Sequence, residues 1–280
     1  MTANVAGGDV QQAGREAAGS RWVHWLSRAG LAARGVIYLL VGSLAVQIGF
    51  GDGGQEADRK GALETVAGRP GGAVVLWLLA IGFAGLALWR YVEAAYGQPV
   101  PRGGKPTKRL LSLVLGVFYS AVCAGIVKFA LGGGAQSSNQ ESKSVTAKAM
   151  AEPGGRWLVL AVGIGFAAVG AAIAVTGLSR KFAETLKSDM SPRTRRVLEL
   201  IGLVGHSARG LVFGAVGAFL AYAAITFDPG KARGLDGTLR AFAGTPGGRW
   251  ALVAVAVGLV VFGVYSFGEA RWRKVEAVRS

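Results

Sequence analysis

The chain has 280 residues, 51% of them hydrophobic and only 17% charged, with a mean hydropathy of +0.41. Soluble domains carry about 25% charged residues, so this composition excludes an ordinary water-soluble globule and describes a chain whose solvent is largely lipid. The net charge of +15 comes from 31 Lys and Arg against 16 Asp and Glu. These basic residues punctuate apolar runs without forming a face or an arm, so they do not read as a nucleic-acid surface.

In chain order, residues 1–27 open with a polar, small-residue stretch and are expected to form a disordered cytoplasmic N-terminus. That stretch is too long and too neutral to begin a cleaved signal peptide, so the first apolar run reads as an uncleaved signal anchor. Six runs reach the length needed to cross a bilayer core, at residues 29–50, 71–91, 110–131, 157–179, 200–227 and 250–268. The expected fold is therefore an all-α polytopic membrane protein with six transmembrane helices. Glycine is abundant, at 45 residues, and suits close helix approach in lipid. The sole cysteine, Cys123, excludes an intrachain disulfide and reads as a reduced packing residue. The N-terminus, second and fourth connectors and C-terminus hold 18 Lys and Arg, the other three connectors 10. By the positive-inside rule both termini are expected to face the cytoplasm.

The six runs reduce to three copies of one hairpin. Arg69-Pro70-Gly71-Gly72, Glu152-Pro153-Gly154-Gly155 and Thr245-Pro246-Gly247-Gly248 precede the second, fourth and sixth runs, and Gly82, Gly165 and Gly258 each follow twelve residues after the proline. Proline suits the first turn of a helix, where its missing N–H costs nothing. Trp157 and Trp250 suit a membrane interface. Gly30 to Gly35 align with Gly205 to Gly210, and Leu115-Gly116-Val117-Phe118-Tyr119 aligns with Arg34-Gly35-Val36-Ile37-Tyr38. The copies cover residues 28–98, 108–186 and 195–275, each with a short amphipathic helix in its outward loop. Because each copy has two spans, all insert in one orientation as parallel repeats, which suits a pseudo-threefold ring.

The Ala-x-x-Gly-x-x-Tyr/Phe pattern of the first helix and the Ala-Gly-x-Pro-Gly-Gly-x-x-Leu pattern before the second resemble a bacterial membrane family. It is catalogued as domain of unknown function 1206, usually three tandem copies per chain. The resemblance spans about residues 28–275 and implies fold and membrane location, with no activity, substrate or catalytic residue. Copy two departs most from the pattern.

Arg34 and Arg209 lie inside outward-going spans, where a charge costs about 2.5–3.5 kcal/mol on insertion scales. Glu93 and Glu269 end the returning spans of the same copies at a similar depth, while copy two has Leu115 and Thr176 at the two places. Structural ion pairs of Arg34 with Glu93 and of Arg209 with Glu269 are expected, pinning each hairpin at the inner leaflet. The alternative is that the arginines snorkel to lipid phosphates. His206 is either a packed residue or a proton-linked group.

There is no G-x-S-x-G elbow, P-loop, HExxH or CxxC in the sequence, and with two histidines and one cysteine a protein-only zinc site is not expected. Neither a cofactor nor an enzymatic activity is expected. The leading expectation is a membrane scaffold, partner subunit or stability factor whose basic inner face associates with anionic lipid headgroups, with a possible membrane-protein partner and no nucleic acid. The alternative is a small-solute transporter or channel with a site at the pseudo-threefold axis. In outline it is similar to mitochondrial carriers, whose Pro-x-acidic-x-x-basic signature is missing here. An apolar, occluded axis would exclude transport.

Overall fold

The computed structural model describes residues 21–51, 56–97, 105–187 and 189–273. The expected tail at residues 1–20 lies outside them, and residues 21–27 already belong to the first helix. Nine α-helices occur among the described residues: α1 (Arg21–Phe50), α2 (Arg59–Ala67), α3 (Gly72–Tyr96), α4 (Pro106–Ala130), α5 (Ser138–Ala151), α6 (Gly155–Leu178), α7 (Pro192–Ile225), α8 (Leu235–Ala243) and α9 (Gly248–Trp272). The protein is an all-α polytopic membrane protein: α1, α3, α4, α6, α7 and α9 are each long and apolar enough to cross a bilayer. At about 1.5 Å per residue the shortest of them is roughly 36 Å long. The short helices α2, α5 and α8 lie together at one end, here the loop face. The opposite end, where α1 begins and α9 finishes, is the terminal face.

Local chemistry sets the boundaries. The side chains of Asp58, Ser137 and Ser191 accept from the backbone N–H of Gly61, Gln140 and Thr194, satisfying free donors at the starts of α2, α5 and α7. The Pro-Gly-Gly motif behaves differently from the expectation that its proline opens a helix. In each copy the residue before proline accepts a hydrogen bond from the second glycine at 2.8–2.9 Å, and the first glycine is left-handed, with φ of +77°, +78° and +72°. This is a type II turn, with proline at its second position and Gly71, Gly154 or Gly247 at the third, where positive φ is required. The second glycine then starts the helix, pressed against a loop-helix carbonyl that leaves no room for a Cβ.

Packing follows a rule not visible in the hairpin pattern. Each returning helix docks most extensively on the outward helix of the next copy: α3 on α4, α6 on α7, and α9 back on α1. Small residues make these approaches possible. A Cβ on Gly163 would come within 2.6 Å of the Ala221 backbone, one on Gly217 within 2.6 Å of the Gly163 carbonyl, and one on Gly35 within 3.0 Å of the Gly263 carbonyl. Inside a copy the contact is thinner, α1 with α3 and α7 with α9. The two helices of copy two, α4 and α6, form no packed interface. Six helices therefore form a pseudo-threefold ring with one open seam.

The seam has a cause in the side chains. In copy one Gly30 and Ala33 receive α3 at Gly82, and in copy three Gly205 and Ala208 receive α9 at Phe262 and Gly258. The aligned residues of copy two are Leu111 and Val114, both exposed, and nothing lies within 4 Å of a Cβ on the matching Gly165. Copy two has bulk where the other copies have the glycine and alanine that admit a returning helix, and α4 and α6 stand apart. Gly170→Val, which would overpack the α6 and α7 contact, is expected to destabilise by about 1–3 kcal/mol. Gly165→Val should change stability by no more than about 0.5 kcal/mol; thermal midpoints in mild detergent check both.

Candidate functional site

A cavity of about 630 Å³ lies on the ring's axis. Equivalent positions of the three copies line it in triplets: Ile37, Phe118 and Val212; Tyr38, Tyr119 and Phe213; Val41, Val122 and Val216; Phe83, Phe166 and Leu259. Side chains spaced three, four and seven residues apart on an outward helix share one face, and here that face turns to the axis. The walls are mostly apolar. At the open seam Phe118, Leu158, Val162 and Phe166 both line the cavity and stand exposed, so it opens sideways toward the bilayer.

On the loop face the cavity is covered by α2, α5 and α8, which latch to one another in a cycle. Asp236 accepts from the Ala57 N–H at 2.9 Å, Asp58 from the Ser138 N–H at 2.6 Å, and the Ser138 hydroxyl from the Leu235 N–H at 3.0 Å. Both carboxylates are buried, and such charge-assisted bonds are roughly twice as strong as neutral ones. Arg59 meets Glu141 across the lid at 3.5 Å. On the exposed side of α2, Lys60 is held above its ordinary pKa by its hydrogen bond to Glu56, by the Glu56 charge, and then by Glu64.

The intramembrane charges are paired otherwise than the hairpin reading expects. Arg34 donates to Glu269 at 2.5 Å, both side chains being buried, and its Nε reaches Ser266 Oγ at 3.3 Å. Glu269 also receives Arg273. Glu93 accepts at Oε2 from Arg90, at 2.7 Å on its own helix, and from the Ser112 hydroxyl of α4 at 3.2 Å. Arg34 with Glu93 and Arg209 with Glu269 are thus not the pairs formed. The carboxylate of a returning helix faces the next copy because that is where the helix docks. Arg156 and Arg249 obey the same rule, donating to the last carbonyls of the next copy's outward helix, at Ala224 and Ile225 of α7 and at Gly49 of α1. Cations suit helix C-termini. Trp157 and Trp250 beside them are exposed at the loop-face end.

Arg209 is the exception. The residue in the register of Glu93 and Glu269 on α6 is Thr176, whose hydroxyl donates to its own helix at Ala172. Among the described residues no carboxylate lies within ion-pair distance of Arg209, and its Nε is buried with no hydrogen-bond partner. Its guanidinium is surrounded instead by the rings of Phe262, Phe213 and Tyr38, with centroids at 5.0, 5.2 and 5.7 Å, and it lines the cavity. Cation–π contacts offset part of its desolvation.

His206 is packed in an aromatic cluster. Its Nδ1 donates to the Gly202 carbonyl at 2.8 Å, its ring stacks on Phe182 at 4.8 Å, and Phe262 and Tyr265 meet it edge-on. Phe182 comes from a short turn (Lys181–Thr185) tucked under the terminal face. Cys123 joins α4 to α3, its thiol donating to the Ala80 carbonyl at 3.3 Å. No metal-competent group of His, Cys, Asp and Glu lies among the described residues.

The family described as Domain of Unknown Function (DUF1206) matches the chain three times, at residues 29–97, 112–180 and 204–273. The chain belongs to the DUF1206 family. It is also similar to a Bacillus subtilis (strain 168) relative described as uncharacterized protein YxxB, 30% identical over 251 residues that cover 88% of this chain and 89% of the relative. No solved structure matches it. In this DUF1206 protein the sequence singles out Arg34, Arg209, Glu93 and Glu269 and offers an axial site as an alternative, but not the residues that line the cavity. The signals available were the triplet alignment, Thr176 opposite two glutamates, and Leu111 and Val114 opposite glycine and alanine. A double-mutant cycle on unfolding in detergent is expected to give a coupling of about 0.5–3 kcal/mol for Arg34 with Glu269 and to stay within about 0.5 kcal/mol of additivity for Arg34 with Glu93.

Proposed function

We propose that this protein is a non-enzymatic binding protein or carrier that takes a largely apolar molecule from the bilayer into its axial cavity. The observation that carries this reading is a cavity walled by apolar side chains, covered on the loop face by latched helices, and open sideways at the seam between α4 and α6. A hydrophilic solute would need a polar wall along the axis, and Ile37, Val41, Val122, Val212, Val216 and Leu259 do not supply one. The non-enzymatic reading is supported by the lining: among the described residues no histidine borders it, Asp58 is held by backbone donors, and Glu141 by Arg59.

The membrane is the bacterial cytoplasmic membrane, a reading supported by the Bacillus relative, with both termini on the cytoplasmic side by the asymmetry of Lys and Arg. The terminal face then meets anionic headgroups, worth roughly 1 kcal/mol per basic side chain near the surface. A partner subunit is the second reading: the exposed flank of α4 at Leu110, Leu113, Val114 and Val117 beside the seam suits one transmembrane helix of a partner.

Native mass spectrometry of the full chain released from mild detergent is expected to show a one-to-one amphiphile adduct. Val216→Phe, which fills the cavity, should reduce that adduct at unchanged thermal midpoint. Saturable flux of a hydrophilic solute in proteoliposomes would overturn the reading, and a stoichiometric co-purifying polypeptide without an adduct would establish the second one.

A further inference from the structure

Among the described residues, Arg209 is the one cation lining the axial cavity with no carboxylate paired to it. Asp58 at the cavity's loop end is held by backbone N–H groups, Arg59 is paired with Glu141, and Arg34 is paired with Glu269. Arg209 has aromatic rings around it and an unsatisfied Nε, and it borders the void. An isolated cation in a low-dielectric site attracts an anion strongly, because little water screens it. A planar guanidinium with free donors suits a carboxylate or phosphate head. The rest of the wall is mostly apolar and opens to acyl chains at the seam. Counted at about 30 Å³ per water-sized group, the cavity's 630 Å³ holds on the order of 20 such groups, enough for one alkyl chain.

We propose that Arg209 is an anion-binding residue that holds the headgroup of a single-chain anionic amphiphile whose tail lies in the axial cavity. This rests on the reading that the cavity takes molecules from the bilayer, and it adds the chemistry of their heads. The site exists because copy two departs from its sisters twice. Leu111 and Val114 open the seam, and Thr176 removes the carboxylate that would otherwise occupy Arg209 as Glu269 occupies Arg34. The ligand supplies the carboxylate or phosphate that Arg209 lacks and that Arg34 finds in Glu269.

The test uses the full chain in nanodiscs of zwitterionic lipid, with hexadecanoate, hexadecyl phosphate and hexadecanol as probes in equilibrium binding. The expected result is binding of at least one anion roughly 10-fold or more tighter than the alcohol, a difference set by one charge-assisted contact. Whichever anion shows the preference identifies the head chemistry. Arg209→Gln is expected to abolish the preference while hexadecanol still binds, which reports an intact cavity. Thr176→Glu, which offers Arg209 an internal partner in the register used by Glu269, should abolish it as well. Persistence of the full preference in either folded variant overturns the assignment of Arg209. Equal binding of alcohol and anions by the unmodified protein overturns it too, while leaving the cavity reading intact. Failure of all three probes to bind overturns the cavity reading itself.

Discussion

The architecture depends on the docking of each returning helix onto the outward helix of the copy that follows. In lipid there is no hydrophobic force to drive helices together, so association depends on close packing and polar ties. Both are concentrated at these junctions. The glycines of α6 and α7 and of α1 and α9 bring backbones together; Arg156 and Arg249 cap the neighbouring copy's helix; Glu93 and Glu269 reach across to Ser112 and Arg34. The loop latch repeats the cycle with Asp58, Ser138 and Asp236. A polypeptide of three tandem hairpins thus closes through links between copies, and the hairpin is the weaker unit.

That arrangement explains the central void. Strong junctions at three alternate positions of a six-helix ring leave the contacts within copies to adjust, and copy two gives up its own altogether. The three outward helices face the axis with valines and aromatic rings too few to fill it. An enclosed apolar space with one lateral opening and one unbalanced guanidinium is what remains.

Much of this was legible in the residues. Six runs of sufficient length, three Pro-Gly-Gly motifs in register and alignable first helices specify the fold and the parallel repeat. The positions of Arg34 and Glu269 were legible as well, but their pairing was not, because adjacency along the chain suggests a hairpin while the carboxylate's side of the helix is set by tertiary packing. Proline was placed in the helix because its preference for the first helical turn and for the second position of a type II turn cannot be told apart without the φ of the following glycine. The cavity leaves no motif, since an empty volume is a property of how side chains converge. Its nearest trace is negative: large residues at 111 and 114 where the other copies are small, and a threonine at 176 where they are acidic.

The unpacked seam also decides how this ring can deform. Five of its six helix contacts are made, three between copies through glycine approaches, ion pairs or capped ends and two thinner ones within copies one and three. The ring is least tied across the distance between α4 and α6, a single mechanical coordinate whose ends bear directly on the surrounding acyl chains. The lateral pressure of the membrane acts along that coordinate, so bilayer composition and the width of the opening are coupled quantities.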